Sequence, residues 1–349
     1  MIRYVIYRLF LIVPTVLIIV IVNFAIAQAV PGGPVEQAIA RFSGAAGGAV
    51  PGGTSTAQAA PSGMDPKLLN ELRVRYGYDK PPIGRLKLML VSYAHLDFGQ
   101  SFYLGEPVTQ LIHERLPVSL SLGLWTTVLS YLLAIPVGIH KAMRQGSRFD
   151  LWTSTGIGVA YAMPTFLFAI LLMMAFSGGF GINLFPIRGL VSDNFGQLSA
   201  WGKVRDYAWH MAMPVASLTI GAFAMAAIVT KNAFLGEISK QYVVTARSKG
   251  MTEGRILYRH VFRNAALLLL TTIPQTFIAV FLGGSLLIET LFSLDGFGRL
   301  SYEAALSRDY PVVFGSLFVF SVAGMLIKLL GDVAYMIVDP RIDLAARAE

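Results

Sequence analysis

The sequence predicts an all-α, polytopic membrane protein with six transmembrane helices, and three observations support this fold class. The 349 residues are 55% hydrophobic and 14% charged, with a mean hydropathy of +0.61, which is too apolar for a soluble globular protein. Uncharged stretches long enough to cross a bilayer recur along the chain. The segments between them alternate between positive and negative charge, as the loops of a polytopic membrane protein do.

The first span is predicted at residues 9–30, and Arg3 and Arg8 before it favour a cytoplasmic N-terminus. A cleaved signal peptide is the alternative, because residues 27–29 read Ala-Gln-Ala. The apolar stretch is longer than the core of about 7 to 15 residues that signal peptides have. We therefore predict that residues 1–30 form an N-terminal segment and a retained span.

A polar segment at residues 31–115 follows, and we expect it to form a periplasmic insertion. Residues 43–63 are mostly Gly, Ala, Pro, Ser and Thr, which bury too little apolar area to offset chain entropy, so we predict that they are flexible. Helix start and stop residues and apolar spacing predict three short helices, at residues 65–77, 85–95 and 106–115.

The remaining spans are predicted within residues 116–338, followed by a cytoplasmic tail at 339–349. They lie at residues 116–139, 151–177, 207–230, 264–288 and 310–338. Four of these spans contain a proline, which neighbouring helices in a bundle can accommodate as a kink: Pro136, Pro164, Pro214 and Pro274.

The charge of the loops predicts that both termini are cytoplasmic. Residues 231–263 carry seven Lys or Arg against two Glu, whereas residues 289–309 carry two Arg against four Asp or Glu. The net charge of +8 is thus explained by topology, and no basic patch of the nucleic-acid-binding type is present. The absence of cysteine excludes disulfides and thiolate metal sites, and we predict no metal, cofactor or catalytic residue in this chain.

One pair of charges is predicted inside the last span. Lys328 and Asp332 are four residues apart, so they share a helical face. A charge in the hydrocarbon region is costly unless it is paired or hydrated. We predict a local ion pair near the inner face, with Lys328 extending toward the headgroups.

The most informative stretch is the basic segment, residues 239–271, between two apolar spans. A short helix is predicted before Gly250, which stands where a helix ends in a residue with positive φ. Thr252 is expected to cap a second helix through its hydroxyl. In that helix the spacing places Ile256, Leu257 and Val261 on one side and Arg255, Arg259 and Arg263 on another.

This segment resembles the EAA loop of bacterial ABC-importer permeases, a helix that inserts into a groove of the ATPase subunit. The three EAA positions fall on Val244, Thr245 and Ala246, and the loop glycine on Gly250. The later Ile, Leu and Pro of the generic pattern are replaced by His260, Phe262 and Arg263. The longer tracts YVVTARSKG and RHVFRNA resemble the peptide-importer branch specifically.

The resemblance covers nearly the whole chain outside residues 43–63. It is carried by PGGPVEQ, IPVGIHKAMRQGSRFD, LIETLFSLDGFGRLSYEAALSRDYPVV and VDPRID. Within the family, PGGPVEQ, FPIRGLVSDNF and KNAFLGEISKQYVVTARSKG are most similar to the YejB-like permeases. The complexes of those permeases import oligopeptides and peptide-like antibiotics of the microcin C type.

The resemblance implies a type I importer permease that forms half of the translocation pathway. It implies a heterodimer with a second homologous permease, a cytoplasmic ABC ATPase that holds ATP and Mg²⁺, and a periplasmic substrate-binding protein that delivers peptides. The positions that it assigns to ATPase coupling are Val244, Thr245, Ala246, Arg247, Ser248, Lys249, Gly250, Thr252 and Glu253.

Two further hypotheses concern an external loop and the polar residues inside the predicted spans. The loop at residues 293–311 is predicted to contact the binding protein and gate entry through Asp295, Gly296, Gly298 and Arg299; the alternative is a plain surface loop. Polar residues inside the predicted spans are candidates for lining a hydrated path: Asn23, Thr126, Thr127, Ser130 and Thr153.

Two other classes of membrane protein have sequence features that can be compared with this chain. The chain has no G-x-x-x-x-G-K-[ST] motif, so ATP must be hydrolysed by a partner. An ion-coupled secondary transporter needs inverted repeats and embedded carboxylates, and only Asp332 is a clear embedded acid. An intramembrane enzyme needs a nucleophile with a base, or a metal set, and neither H-E-x-x-H nor G-x-S-x-G occurs.

Overall fold

The computed structural model describes residues 2–29 and 80–338, and within these ranges the regular structure is helical. The predicted flexible segment 43–63, the helix at 65–77, the PGGPVEQ tract and the tail at 339–349 lie outside the described residues. The α-helices are α1 Ile2–Ala29, α2 Pro82–Ala94, α3 Val108–Met143, α4 Arg148–Ala162, α5 Thr165–Phe176, α6 Ala200–Ile238, α7 Gln241–Ser248, α8 Glu253–Ile256, α9 Phe262–Ala279, α10 Leu286–Leu291, α11 Phe297–Ser307 and α12 Tyr310–Val338.

Five continuous helical stretches of the described chain are long and apolar enough to cross a membrane, and they match the predicted spans. They are α1, α3, α6, the stretch from α8 through α9, and α12. The predicted helix at residues 85–95 is also found, as α2. The helix predicted at 106–115 is not separate, because it continues into the second span as α3.

The predicted third span is a bent pair and not one straight helix. Helices α4 and α5 meet at an angle of 100°. Pro164 has no N–H to continue α4 and its ring disfavours helical backbone for the residue before it, so Met163 is extended (φ −79°, ψ 122°). Pro136, Pro214 and Pro274 instead lie inside continuous helices.

The described chain divides into two compact units, the larger of which contains residues 2–9, 115–300 and 323–338. In it α6 is the central helix, packed against α4, α5 and α9. Ala224, Ala226 and Ala227 are buried on α6. A side chain on Gly138 would overlap Thr230, so the backbones of α3 and α6 lie close together.

The second unit contains the described residues 10–29, 80–114 and 301–322. Tyr93 at the end of α2 packs edge-on against Phe98 and Phe318. The buried carboxylate of Asp309 accepts hydrogen bonds from the Ser101 hydroxyl (2.5 Å) and the Phe102 amide (3.2 Å). These contacts fix the segment between α2 and α3 onto the first turns of α12.

Candidate docking site on the basic segment

The basic segment folds as predicted into a short helix, a glycine turn and a second helix. Helix α7 turns one face to the protein, because Val243 and Ala246 are buried and are three residues apart. Val244, Thr245, Ser248 and the residues of the turn face outward. The outward face is a compact polar surface with one large apolar residue, Val244, which is 48% exposed.

Gly250 ends α7 with φ of 76°, as predicted. The Met251 amide donates to the Ala246 carbonyl (3.3 Å) and the Gly250 amide to the Arg247 carbonyl (3.0 Å). This pair of bonds is the Schellman motif, which satisfies the last carbonyls of the helix and requires a left-handed residue at the glycine position. A side chain on Gly250 would meet no atom within 4 Å, so the glycine is required by its backbone angle and not by space.

Two of the predicted coupling residues bind each other across the turn. The Arg247 guanidinium donates to both carboxylate oxygens of Glu253, at 2.6 Å from Nε and 3.0 Å from Nη2. These hydrogen bonds raise the pKa of Arg247. Arg247 is thus held by its own chain, whereas Lys249 has no ion pair within the described ranges.

Ala246 is a correction to the predicted docking surface. It belongs to the set of positions assigned to ATPase coupling, but it is 7% exposed and packs inward. The reason is helical periodicity, since Ala246 shares a face with buried Val243. The outward positions of the predicted set are Val244, Thr245, Arg247, Ser248, Lys249, Gly250, Thr252 and Glu253.

Beneath this surface lies an apolar cluster that joins α7 to three long helices. Val243 and Ala246 pack with Ile139 and Ala142 of α3, Phe234 of α6 and Ala265 of α9, and the cluster includes Ile256, Leu257 and Val261. Phe234 is fully buried in it. The short helix is therefore an attached part of the helical bundle, and a force applied to it reaches α3, α6 and α9 directly.

The second helix differs from the prediction in two details. Thr252 takes the N-cap position, with φ of −67° and ψ of 145°, but its hydroxyl makes no capping hydrogen bond. Residues Leu257–Val261 form a π-helical turn between α8 and α9. Such turns are rare and occur often at functional sites, and no residue pattern in this segment predicts one. The apolar and basic faces are as predicted, with Arg255, Arg259 and Arg263 exposed.

An ion cluster that the sequence analysis missed lies next to this site. Asp150, at the start of α4, binds the ammonium group of Lys231 of α6 at 2.7 Å and that of Lys141 of α3 at 3.0 Å. Lys141 is 2% exposed and also donates to the Thr153 and Ser154 hydroxyls. The sequence does not predict this cluster, because the three charged residues lie on different helices and their spacing along the chain does not show that they meet.

The external-loop residues are organised by a second buried acid, Glu289 of α10. Its carboxylate accepts from the Ser119 hydroxyl (2.6 Å), the Ser285 hydroxyl (2.8 Å) and the Arg299 amide (2.7 Å). A side chain on Gly296 would overlap this carboxylate, and one on Gly298 would crowd it. The loop is thus wrapped around Glu289, which sequence reasoning counted only as a loop charge.

The exposed part of this loop carries the other two predicted residues. Asp295 is 66% exposed and binds Arg115 at 2.7 Å and Arg299 at 3.6 Å. The helix predicted to follow is present as α11. The structure therefore brings the four predicted residues together. Gly296 and Gly298 lie where a side chain would meet the Glu289 carboxylate, and Asp295 forms an ion pair with Arg299.

The predicted ion pair between Lys328 and Asp332 is wrong. Asp332 binds Arg8 of α1 at 3.3 Å and accepts a hydrogen bond from the Tyr4 hydroxyl at 3.0 Å. Lys328 is exposed and has no ion pair within the described residues. A Lys preceding an acid by four residues is the less favourable order on a helix, and α1 supplies a competing cation.

Most of the predicted pathway residues are also corrected. Asn23, Thr126, Thr127 and Ser130 are buried between helices. Thr127 donates to the carbonyl one turn before it, as hydroxyls in membrane helices often do. Thr153 is partly exposed, and its hydroxyl accepts a hydrogen bond from the Lys141 ammonium. The burial of these four side chains argues against their facing a hydrated path, and among them Ser130 donates to another helix, at 3.5 Å to the Thr219 carbonyl.

Comparison with known protein families gives one family match. Residues 134–344 match the family described as "Binding-protein-dependent transport system inner membrane component". The matched region begins within α3 and extends past α12, so it contains both the docking site and the loop around Glu289.

Individual relatives are similar over almost their full length. The chain is 49% identical to "Inner membrane ABC transporter permease protein YejB" of Escherichia coli O157:H7 and 47% identical to "Peptidoglycan transport system permease protein YejB" of Agrobacterium fabrum, with 99% of each chain covered in both comparisons. It is 31% identical to "Dipeptide transport system permease protein DppB" of Escherichia coli K12, over 98% of this chain and 99% of that one.

A solved structure has the same fold. The chain superposes on a chain of the inward-facing MetNI methionine ABC transporter with a TM-score of 0.52 and 17% identity, covering 67% of this chain and 99% of the other. The predicted fold class is confirmed by this likeness.

Proposed function

Because the chain belongs to the family of binding-protein-dependent transport system inner membrane components, the permease subunits of ABC importers, we propose that it forms half of the pathway of an ATP-driven peptide importer. The observation that supports coupling to an ATPase is the outward face of α7, a compact surface carried by a core shared with three long helices. A helix that lies in the groove of a partner needs this combination of an exposed face and a firm attachment.

The chain is a permease subunit and not an enzyme, and its relatives are transport permeases. We propose that ATP binding closes the partner ATPase, and that the closure moves α7 and, through the cluster beneath it, α9. The bundle then shifts between inward-open and outward-open populations. The π turn at Leu257–Val261 lies on this route, at the point where the docking helix joins the span.

The partners follow from the family. A binding-protein-dependent importer contains an ATPase and a substrate-binding protein. We propose that the second half of the pathway is a homologous permease, which forms a heterodimer with this chain. The exposed Lys249 and the polar rim of α7 are proposed to bind acidic groups of the ATPase.

The proposed substrate is a peptide. The relatives are named for dipeptide and peptidoglycan transport, and both compounds contain peptide bonds. Two probes therefore test the substrate class: a radiolabelled alanyl tripeptide, and a peptidoglycan fragment with its peptide stem. Competition between them would show whether one site accepts both.

The experiment for the function is purification of the affinity-tagged chain from native membranes in mild detergent, followed by reconstitution. We expect an ATPase and a second permease to co-purify, and uptake of the labelled tripeptide to require ATP and the binding protein. The alternative, an ion-coupled secondary transporter, predicts uptake by this chain alone, driven by an ion gradient and insensitive to ATP.

The loop around Glu289 is proposed to meet the binding protein on the periplasmic side. Asp295 is the most exposed charge of the loop, and the partly exposed Arg299 lies beside it. A photo-crosslinker at Asp295 should capture the binding protein in at least one nucleotide state. If the binding protein is captured in none of the nucleotide states, this contact is contradicted. A crosslinker at Asn194, in another exposed loop, is the control.

A further inference from the structure

One exposed face of α9 carries two polar side chains, Thr271 and Gln275, within the span. The residues exposed along it are Leu268, Thr271, Gln275 and Ala279, and they follow at intervals of three or four, so they form a single stripe. Gln275 lies thirteen residues from the start of α9, which is about 20 Å along a helix. In a hydrocarbon core about 30 Å thick, this position is far from either surface.

The exposed faces of α1 and of the middle of α3 are largely apolar. On α1 the exposed residues include Ile6, Phe10, Val13 and Ile18, and on α3 they include Leu124, Val128 and Leu132. These faces are suited to lipid. A primary amide in the same setting would leave its donors and acceptors without partners, which is costly in hydrocarbon.

The remaining sides of α9 are already occupied. The Tyr131 hydroxyl of α3 donates to Thr272 at 2.8 Å and lies 3.1 Å from Thr276. A side chain on Gly331 of α12 would overlap Pro274, so α12 closes another side. Leu269 and Ala265 are buried below. At the level of Gln275 the described residues leave this side of α9 open.

The Gln275 amide makes no hydrogen bond with the described residues, and the Thr271 hydroxyl donates only to the Leu268 carbonyl of its own helix. The stripe therefore offers hydrogen-bond donors and acceptors without charge. Uncharged groups of both kinds suit the amide groups of a peptide backbone and discriminate little among side chains.

We infer that Thr271 and Gln275 of α9 line the hydrated translocation pathway and hydrogen-bond to the backbone of passing peptides. The inference that these residues bind peptides rests on the proposed function, whereas the inference that they line a hydrated path rests only on the exposed stripe. The same helix leads from the docking site through the π turn, so the motion of α7 acts directly on the element that lines the path.

The chain contains no cysteine, which allows a direct test in the assembled importer. Thr271→Cys and Gln275→Cys are compared with Leu132→Cys, which is 63% exposed on an apolar face of α3. The probe is a charged, membrane-impermeant methanethiosulfonate, applied in the ATP-free and ATP-bound states. We expect Gln275→Cys to react at least about tenfold faster than Leu132→Cys in one state, because only hydrated thiols ionise readily.

Addition of a saturating tripeptide should slow the Gln275→Cys reaction. Equal reaction rates of Gln275→Cys and Leu132→Cys in every state would overturn the inference, as would a disulfide from Gln275→Cys to a cysteine placed in the second permease in all states, which would make the stripe a subunit interface. Fast labelling that the tripeptide does not slow would keep the hydrated path and remove the peptide contact.

Discussion

At the scale of single residues, the backbone angle of Gly250 is the most sharply testable feature of the docking site. With φ of 76° and open space around the missing side chain, Gly250→Val introduces backbone strain and no collision. A left-handed non-glycine residue costs about 1–2 kcal/mol, and a β-branched one resists this region further. This cost lowers the population of the intact turn by a factor of about 5–30.

We expect Gly250→Val to uncouple ATP hydrolysis from uptake in reconstituted vesicles. Gly250→Asn should retain more coupling, because Asn tolerates the left-handed region. Gly254→Ala is the matched control, since Gly254 is nearby, has no positive φ and has open space around it. Wild-type coupling in the Val variant would count against the role of the turn.

Asp150 permits a second residue-scale prediction. Asp150→Ala leaves the ammonium of Lys141 buried without its counter-charge. Removal of one partner of a buried ion pair costs about 3–5 kcal/mol, because the other charge remains desolvated. The variant should therefore unfold at a lower temperature in detergent than the parent protein.

Asp193→Asn serves as the control for Asp150→Ala, since Asp193 is an exposed acid. The further change Lys141→Met in the Asp150→Ala background should restore part of the lost stability. An unchanged unfolding temperature in Asp150→Ala would show that the cluster is hydrated and does not hold the three helices.

At the scale of elements, the connection of α7 to the bundle depends on Phe234. This ring is fully buried between α6 and α7 and packs 6.0 Å from the ring of Phe262. Truncation of a buried Phe to Ala costs about 3–5 kcal/mol. We expect Phe234→Ala to speed amide hydrogen exchange throughout Gln241–Ser248, because the helix loses its main support.

The same exchange experiment on Leu330→Ala is the control, since Leu330 is 68% exposed on α12. Exchange in α7 should not change in that variant. Unaltered exchange of α7 in Phe234→Ala would contradict the view that this cluster carries motion from the docking site to the spans.

The loop around Glu289 is the second element whose role depends on packing. Gly296→Ala places a methyl group against the Glu289 carboxylate, so we expect the loop to be displaced and crosslinking from Asp295 to be lost. The double variant Gly296→Ala, Glu289→Ala removes the overlap and should recover part of the crosslinking. If the loss of crosslinking in the double variant equalled the sum of the losses in the two single variants, the two residues would not interact.

At the scale of the whole molecule, the distribution of charge predicts how the chain is oriented in the membrane. The charge balance predicts that the docking site faces the cytoplasm and the loop before α6 faces outward. Single cysteines at Ser239 and Asn194, both exposed, report on the two sides. An impermeant thiol reagent should label Asn194→Cys in spheroplasts and Ser239→Cys only in inverted vesicles; the reverse pattern would invert the proposed topology and remove the ATPase contact.

Much of the architecture follows from local patterns that the sequence displays directly. Long uncharged stretches specify helices that cross the membrane, and the last one begins and ends where it was predicted, at Tyr310 and Val338. Gly250 specifies the turn, because few other residues adopt its backbone angle. The helical spacing of apolar and basic residues, such as Ile256 and Arg255, specifies which side of the second helix is buried, because position along a helix determines the direction in which a side chain points.

Pairings between distant residues were decided only by the tertiary structure. Asp332 binds Arg8 and not its neighbour Lys328, Asp150 gathers lysines from two other helices, and Glu289 holds a loop together from inside. The stripe at Gln275 is open because α3 and α12 occupy the other sides of α9. Sequence spacing determines which residues share a face of one helix, whereas the packing of helices determines what that face meets, because such contacts join residues far apart in the chain.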